Sequence, residues 1–229
     1  MMRAMFASLF AISLLASSAA AQQEDDLAPP ARNFESAERL TLELRIGPYQ
    51  PRFEEFDQLL GDDDGLLLSL ELDVIGFRLD DVLYLSGGGL IGWAKYDGNA
   101  IDESGAETSE ETELEIIPLG ALAVLRVDAL ARKLGIPFIL TGKLGYMWWH
   151  HSTETGGTDR ATGWSLGLGY AGQIALDLDS LDQAQARVMD EEWGINHSFV
   201  FFEVHGFEPT DDSLDLGGMS WVAGLGFVM

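Results

Sequence analysis

The sequence predicts an all-β protein, an eight-stranded antiparallel up-and-down transmembrane β-barrel with short periplasmic helices. Three observations predict it. Apolar residues recur at every second position through eight separate stretches, the period of a strand whose side chains alternate between faces. The opposite face of these stretches is small, with Ser86, Gly88, Gly92, Ser165, Gly167, Gly169 and Ala171 on it. Such residues suit a narrow barrel interior better than a water-facing sheet. Large aromatics (Trp93, Tyr146, Trp148, Trp149, Trp164 and Trp221) fall toward strand ends, where a membrane barrel carries its interfacial girdles.

In chain order, residues 1–21 read as a signal peptide. Arg3 forms a positive start, Met5 to Leu15 an apolar run, and Ala19-Ala20-Ala21 before Gln22 a cleavage site. Residues 22–38 are charged and contain Pro29 and Pro30, the composition of a flexible periplasmic lead-in. The barrel is expected over 39–229. Leu40, Leu42, Leu44 and Ile46 alternate with Thr41, Glu43 and Arg45. Leu68 to Val74 alternate with Ser69, Glu71 and Asp73, and Leu83 to Trp93 repeat the pattern. Leu114, Ile116, Pro118, Leu122 and Val124 are assigned outward, opposite Glu113, Glu115 and Ala121. Phe138, Leu140, Leu144, Tyr146 and Trp148 oppose Thr141, Lys143 and Gly145. The stretch 163–176, then 197–206 and 221–229, complete the eight.

The connections alternate in kind. Asp80-Asp81 is a tight turn. Residues 127–137 hold a short helix with Asp128 as N-cap and Gly135 as its stop, and 179–194 a longer one with Ser180 and Gln183 as a capping box. The others (50–65, 95–112, 151–161 and 208–217) are polar and read as long loops. Helix-containing connections, with Arg126, Arg132, Lys133 and Arg187 in or beside them, are assigned to the periplasm, and acidic loops to the outside.

Composition narrows the function. The 229 residues contain no cysteine, so disulfides and thiolate metal sites are excluded. The net charge of −25 leaves no basic stripe for nucleic acid. No segment reaches the roughly 20 consecutive apolar residues of a membrane-crossing helix.

With only eight strands the interior is filled by side chains. The inward positions put Glu43, Arg45, Glu71, Asp73, Lys143, Glu203 and His205 in a lumenal charge network, in which Arg45 and Lys143 pair with Glu43, Glu71, Asp73 or Glu203. Glu113 and Glu115 are assigned inward, near the outer rim. His150 and Ser152 share a strand face, and with Glu154 they raise an alternative, a lipid A-modifying hydrolase. A soluble exported lipid-binding barrel, apolar face inward, is the other alternative. Asn196-His197-Ser198 is a weaker candidate, since neighbouring residues of a strand point to opposite faces. Asp62-Asp63-Asp64-Gly65 lacks the ligand spacing of an EF-hand and reads as a solvated turn. The glycines of GLGYAG do not open a helix and imply no nucleotide site. No catalytic residue, cofactor or metal site is assigned.

Several blocks resemble a family of outer-membrane β-barrels best represented in myxobacteria, whose function is uncharacterised. They are ELRIGPY (43–49), LELD (70–73), RVDALARKLGIPF (126–138), KLGYMWW (143–149), the run from Gly167 to Val204, and the closing SWVAGLGFVM. The resemblance implies outer-membrane location and a barrel fold, and brings no catalytic residues. The last strand carries Gly224, Phe227 and Met229 at the positions of a barrel assembly signal. Expected partners are outer-membrane lipids and lipopolysaccharide, the barrel assembly machinery, and divalent cations at the acidic loops.

Overall fold

The computed structural model describes residues 37–51, 56, 65–79, 82–101, 107–157, 159–210 and 216–229. The signal peptide, most of the lead-in, Asp62-Asp63-Asp64 and the Asp80-Asp81 turn lie outside the described residues. Eight strands run in chain order: β1 (Leu40–Tyr49), β2 (Gly65–Leu79), β3 (Leu83–Ile101), β4 (Glu107–Val127), β5 (Phe138–Thr155), β6 (Asp159–Asp177), β7 (His197–Pro209) and β8 (Gly218–Val228). Two helices, α1 (Ala129–Leu134) and α2 (Gln183–Trp193), interrupt the β4–β5 and β6–β7 connections. Every strand pairs antiparallel with its sequence neighbours, and β1 pairs with β8, closing the barrel. At the seam Leu40 and Met229 exchange backbone hydrogen bonds, both 2.8 Å.

The faces sort as a membrane barrel requires. Leu44, Leu70, Leu72, Val74, Leu144, Ile174 and Leu225 stand exposed on the outer wall, with Leu144 60 % accessible. Thr41, Glu43, Arg45, Glu71, Asp73, Lys143, Gln173 and Glu203 are buried inside. Trp93, Tyr146, Trp148, Trp164 and Trp221 are exposed on the outer wall. A soluble lipid-binding barrel needs the reverse orientation.

The structure corrects the sequence reading at five points. First, the inner wall of β4 is its apolar set: Leu114, Ile116 and Val124 are buried, whereas Glu113 is exposed and Glu115 accepts a hydrogen bond from the exposed Trp93. Both faces of β4 are apolar over much of its length, so periodicity could not choose between them. Second, Trp149 is 3 % accessible and faces inward, unlike its neighbour Trp148. Third, much of the expected loops 95–112 and 151–161 is strand: β3–β4 and β5–β6 extend as long hairpins, the latter turning at Gly156 and Gly157 with φ of 61° and 71°. The buried face of these hairpins includes polar residues such as Thr112 and Ser152, so the period-two hydropathy signal fades although the pairing continues.

Fourth, α2 is capped by Asp182, which accepts from the Gln185 N–H at 3.1 Å, while Ser180 donates to the Asp177 carbonyl. Asp128 sits at the α1 N-cap position without a side-chain cap bond, binding Arg132 instead, and Gly135 ends α1 at φ 66° as expected. Fifth, Glu38 is fixed rather than part of a flexible lead-in, as described next.

Candidate functional site

The barrel interior is layered, and the layering follows from residue order along the inward positions of the strands. Along β5 these run Ile139, Thr141, Lys143, Gly145, Met147, Trp149; along β7 they run Phe199, Phe201, Glu203, His205, Phe207. An apolar cluster therefore lies on each side of a charged layer. Toward the long hairpins, Tyr49, Phe56, Leu67, Tyr96, Leu114, Ile116, Met147, Trp149 and Phe207 pack together. The Tyr49 and Trp149 rings stack at 4.9 Å, and Trp149 meets Phe207 at 5.2 Å. Toward the helices lie Ile139, Ala175, Phe199, Phe201, Val222 and Val228. Glycines on β8 make room for this second cluster: a Cβ at Gly224 would overlap Phe201, and one at Gly226 would overlap Phe199.

Glu43 and Glu71 are directly opposite each other on β1 and β2, a destabilising pair of like charges if left alone. Lys143, from the far wall, neutralises them: its Nζ lies 2.6 Å from Glu43 Oε2, 2.7 Å from Glu71 Oε1 and 2.9 Å from Glu203 Oε2. Arg45 donates to Glu71 at 2.7 Å and also contacts Glu203. Arg126 donates to Glu43 at 3.0 Å, and Gln173 Nε2 to both oxygens of Glu43 at 3.1 Å. The side chains of Glu43, Glu71 and Glu203 are wholly out of solvent. Arg126 also lies over the Phe199 ring at 4.7 Å, tying the charged layer to the apolar cluster beside it. A buried charge without a partner is costly, so the cross-lumen pairing is what allows these carboxylates inside at all.

Two expected members stand apart. Asp73 is buried but neither carboxylate oxygen has a hydrogen-bond partner among the described residues, its side chain lying against Gly88. His205 faces inward, and its two ring nitrogens are likewise buried without a hydrogen-bond partner among the described residues. Arg126, assigned from sequence to the periplasmic connection, and Gln173 are the members that sequence reasoning left out of the network. An arginine in phase with Val124 and Leu122 was the available signal for the first.

A second cluster closes the helix end. Glu38 accepts from Arg132 at 2.7 Å and from the Tyr84 hydroxyl at 2.7 Å, and pairs with Arg78 at 3.2 Å and His197 at 3.3 Å. Burial alone would push the Glu38 carboxyl up, but hydrogen bonds from His197, Arg132 and Tyr84 outweigh it and hold the group far below the usual carboxylate range. His197 Nδ1 also lies 2.7 Å from Asp179, whose other oxygen accepts from the Ser198 hydroxyl at 3.0 Å. Asp177, Asp179 and His197 place ligand atoms within 4.8 Å of one another, the one such grouping among the described residues. The His197 ring is held between Asp179 and Glu38 there.

The hydrolase candidates are engaged elsewhere. His150 packs edge-on to Trp164 at 4.8 Å, Ser152 Oγ accepts from Arg160 Nε at 2.9 Å, and Glu154 is exposed opposite Arg160.

Fold and lumen together define a closed eight-stranded antiparallel barrel, apolar outside, with a layer of paired charges between two apolar clusters inside. No protein-family model and no curated protein matches the chain. Among solved structures it is similar to Ail, the attachment invasion locus protein of Yersinia pestis (9 % identity, 84 % of this chain and 97 % of that one, TM-score 0.44). It is also similar to Neisserial surface protein A (10 %, 82 % and 94 %, 0.45) and to the N-terminal β-barrel domain of Pseudomonas aeruginosa OprF (8 %, 84 % and 100 %, 0.42). The likeness is one of fold.

Proposed function

We propose that the chain is an integral outer-membrane β-barrel with a filled, non-conducting lumen, serving a structural or interaction role and no enzymatic one. The observation that carries this reading is the inverted polarity: an exposed apolar wall surrounds buried, mutually paired charges. In water such a wall would be an aggregation surface far larger than a monomer tolerates, and a bilayer is the solvent that suits it. The helix end, with its compact connections, then faces the periplasm, and the long hairpins face outward.

The hairpins carry a row of carboxylates on the outer wall: Asp97 is opposite Glu113, and Glu113 opposite Glu154. Divalent cations shared with lipopolysaccharide phosphates are the partners that such a row suits. Gly224, Phe227 and Met229 serve as the assembly signal in the last strand, and kinship with the myxobacterial barrel family is part of the same proposal. The test is extraction. The protein should leave membranes only in detergent and migrate differently on gels before and after boiling. Recovery in the soluble fraction without detergent would refute the reading.

A further inference from the structure

The lipid-facing wall is not smooth. A groove of about 480 Å³ crosses it at the β4–β7 sector, walled by Leu125, Leu140, Ile174 and Phe202. Its floor is a pair of glycines on one rung: Gly142 lies opposite Gly172, with Leu125 and Val204 at the two ends of the rung. A Cβ at either glycine would meet nothing within 4 Å, so neither packing nor backbone geometry demands glycine here. Gly142 is four residues into β5. At about 3.3 Å per residue that is about 13 Å along a tilted strand, inside the half of a roughly 30 Å hydrocarbon core nearer the helices.

Both helices lie in the connections at the ends of the strands that wall this groove. The groove's β4 and β5 walls run into the turn that holds α1, and its β6 and β7 walls into the turn that holds α2. These turns expose apolar side chains, among them Leu134, Ile136, Leu181 and Trp193, the last 74 % accessible. Exposed apolar groups beside the membrane plane suit the interfacial layer, where Trp in particular is favoured. The same turns carry Lys133 and Arg187, both exposed and without an ion pair among the described residues. In a chain of net charge −25, free cations on these two turns complement a lipid phosphate. Glu191 and Glu192 on α2 are exposed and suit the ammonium of a zwitterionic head group.

We propose that the groove and the two turns beneath it form a binding site for one zwitterionic phospholipid of the periplasmic leaflet. An acyl chain lies over Gly142 and Gly172, and the phosphate is held by Lys133 and Arg187. The proposal rests on the membrane reading and assigns α1 and α2 a task that reading leaves open.

Native mass spectrometry of the full barrel released from detergent micelles tests it, with dioleoyl-phosphatidylethanolamine as probe and dioleoylglycerol as the phosphate-free control. The parent should retain one phosphatidylethanolamine and little dioleoylglycerol. Filling the groove with Gly142→Leu and Gly172→Leu should lower the bound fraction about tenfold, as expected when a few methylenes lose their contact. Gly87→Leu, another outward glycine with open space around it, should leave binding unchanged. Lys133→Gln with Arg187→Gln should also lower phosphatidylethanolamine retention; this pair decides the matter if the groove-filling variant fails to fold. Undiminished retention in the filled or charge-neutral variant, or equal retention of dioleoylglycerol, would overturn the site. So would a parent that needs detergent yet releases all its lipid, an outcome that leaves the membrane reading standing. A parent soluble without detergent removes that reading first, and this site with it.

Discussion

Lys143 and Lys95 make the same kind of contact in opposite regions of the molecule. Lys143 meets three glutamates at 2.6 to 2.9 Å in the middle of the lumen. Lys95 meets Asp97 and Glu113 at 3.1 and 2.9 Å on the long β3–β4 hairpin. The distances hardly differ, but the surroundings do. Lys143 is sealed between two apolar clusters, whereas Lys95 and both its partners stand in solvent. In the lumen each charge depends on its partner, because side chains this deeply buried are cut off from bulk solvent. On the hairpin water and salt do most of what the partner does. The difference teaches that a partner is decisive for a charge in the interior and nearly dispensable for one on the exterior.

Removing Lys143 should break the comparison open most. Lys143→Met leaves three buried glutamates with two arginines, and loss of one partner of a buried pair costs about 3–5 kcal/mol. Denaturant unfolding of the refolded barrel in micelles should show a midpoint far below the parent's. A midpoint near the parent's would mean that the lumen is wet enough to solvate the carboxylates.

Next in size is the outer wall. Leu168 is exposed on β6, and Leu168→Arg should cost about 2–4 kcal/mol if that position lies near the bilayer midplane. The checking measurement is the fraction assembled into lipid vesicles, read by heat-modifiable migration. Assembly equal to the parent's would contradict the lipid-facing assignment.

A smaller effect is expected at the helix end. The folded Glu38 carboxyl is held well below its ordinary value of 4.5, so the stability it contributes is complete above that pH and is lost as the pH falls. Between about pH 5 and about pH 2 the parent should therefore lose more stability than Glu38→Gln, in which that contribution is already absent. Equal acid sensitivity of the two would show that Glu38 is not tied down as described. Smallest of all is Lys95→Met, for which the unfolding midpoint should match the parent's at physiological salt. A clear drop would mean that the hairpin is packed against something that shields it.

Much of this arrangement was legible in the sequence because eight strands share one rule. Leu40 to Ile46 and Trp164 to Leu176 have one large apolar face and one small or charged face, so period, orientation and even the pairing of Arg45 and Lys143 with glutamates followed. Legibility failed where both faces have the same character. On β4 the apolar Leu114, Ile116 and Val124 point inward to build the hairpin-side plug and the layer below it, and the pattern could not show this. Trp149 beside Trp148 was misplaced for the same reason: an aromatic plug inside the lumen and a girdle outside use the same residue type. The contacts of Glu38 bring it beside residues as far apart as Tyr84, Arg132 and His197, a juxtaposition that only the closed barrel creates.

An ion-pair layer with an apolar cluster on each side should leave no continuous water path through the barrel. Planar-bilayer recording of the purified parent protein tests it most directly. Conductance should be negligible at neutral pH, with no steady unitary steps. Large, stable single-channel currents from the parent would contradict it.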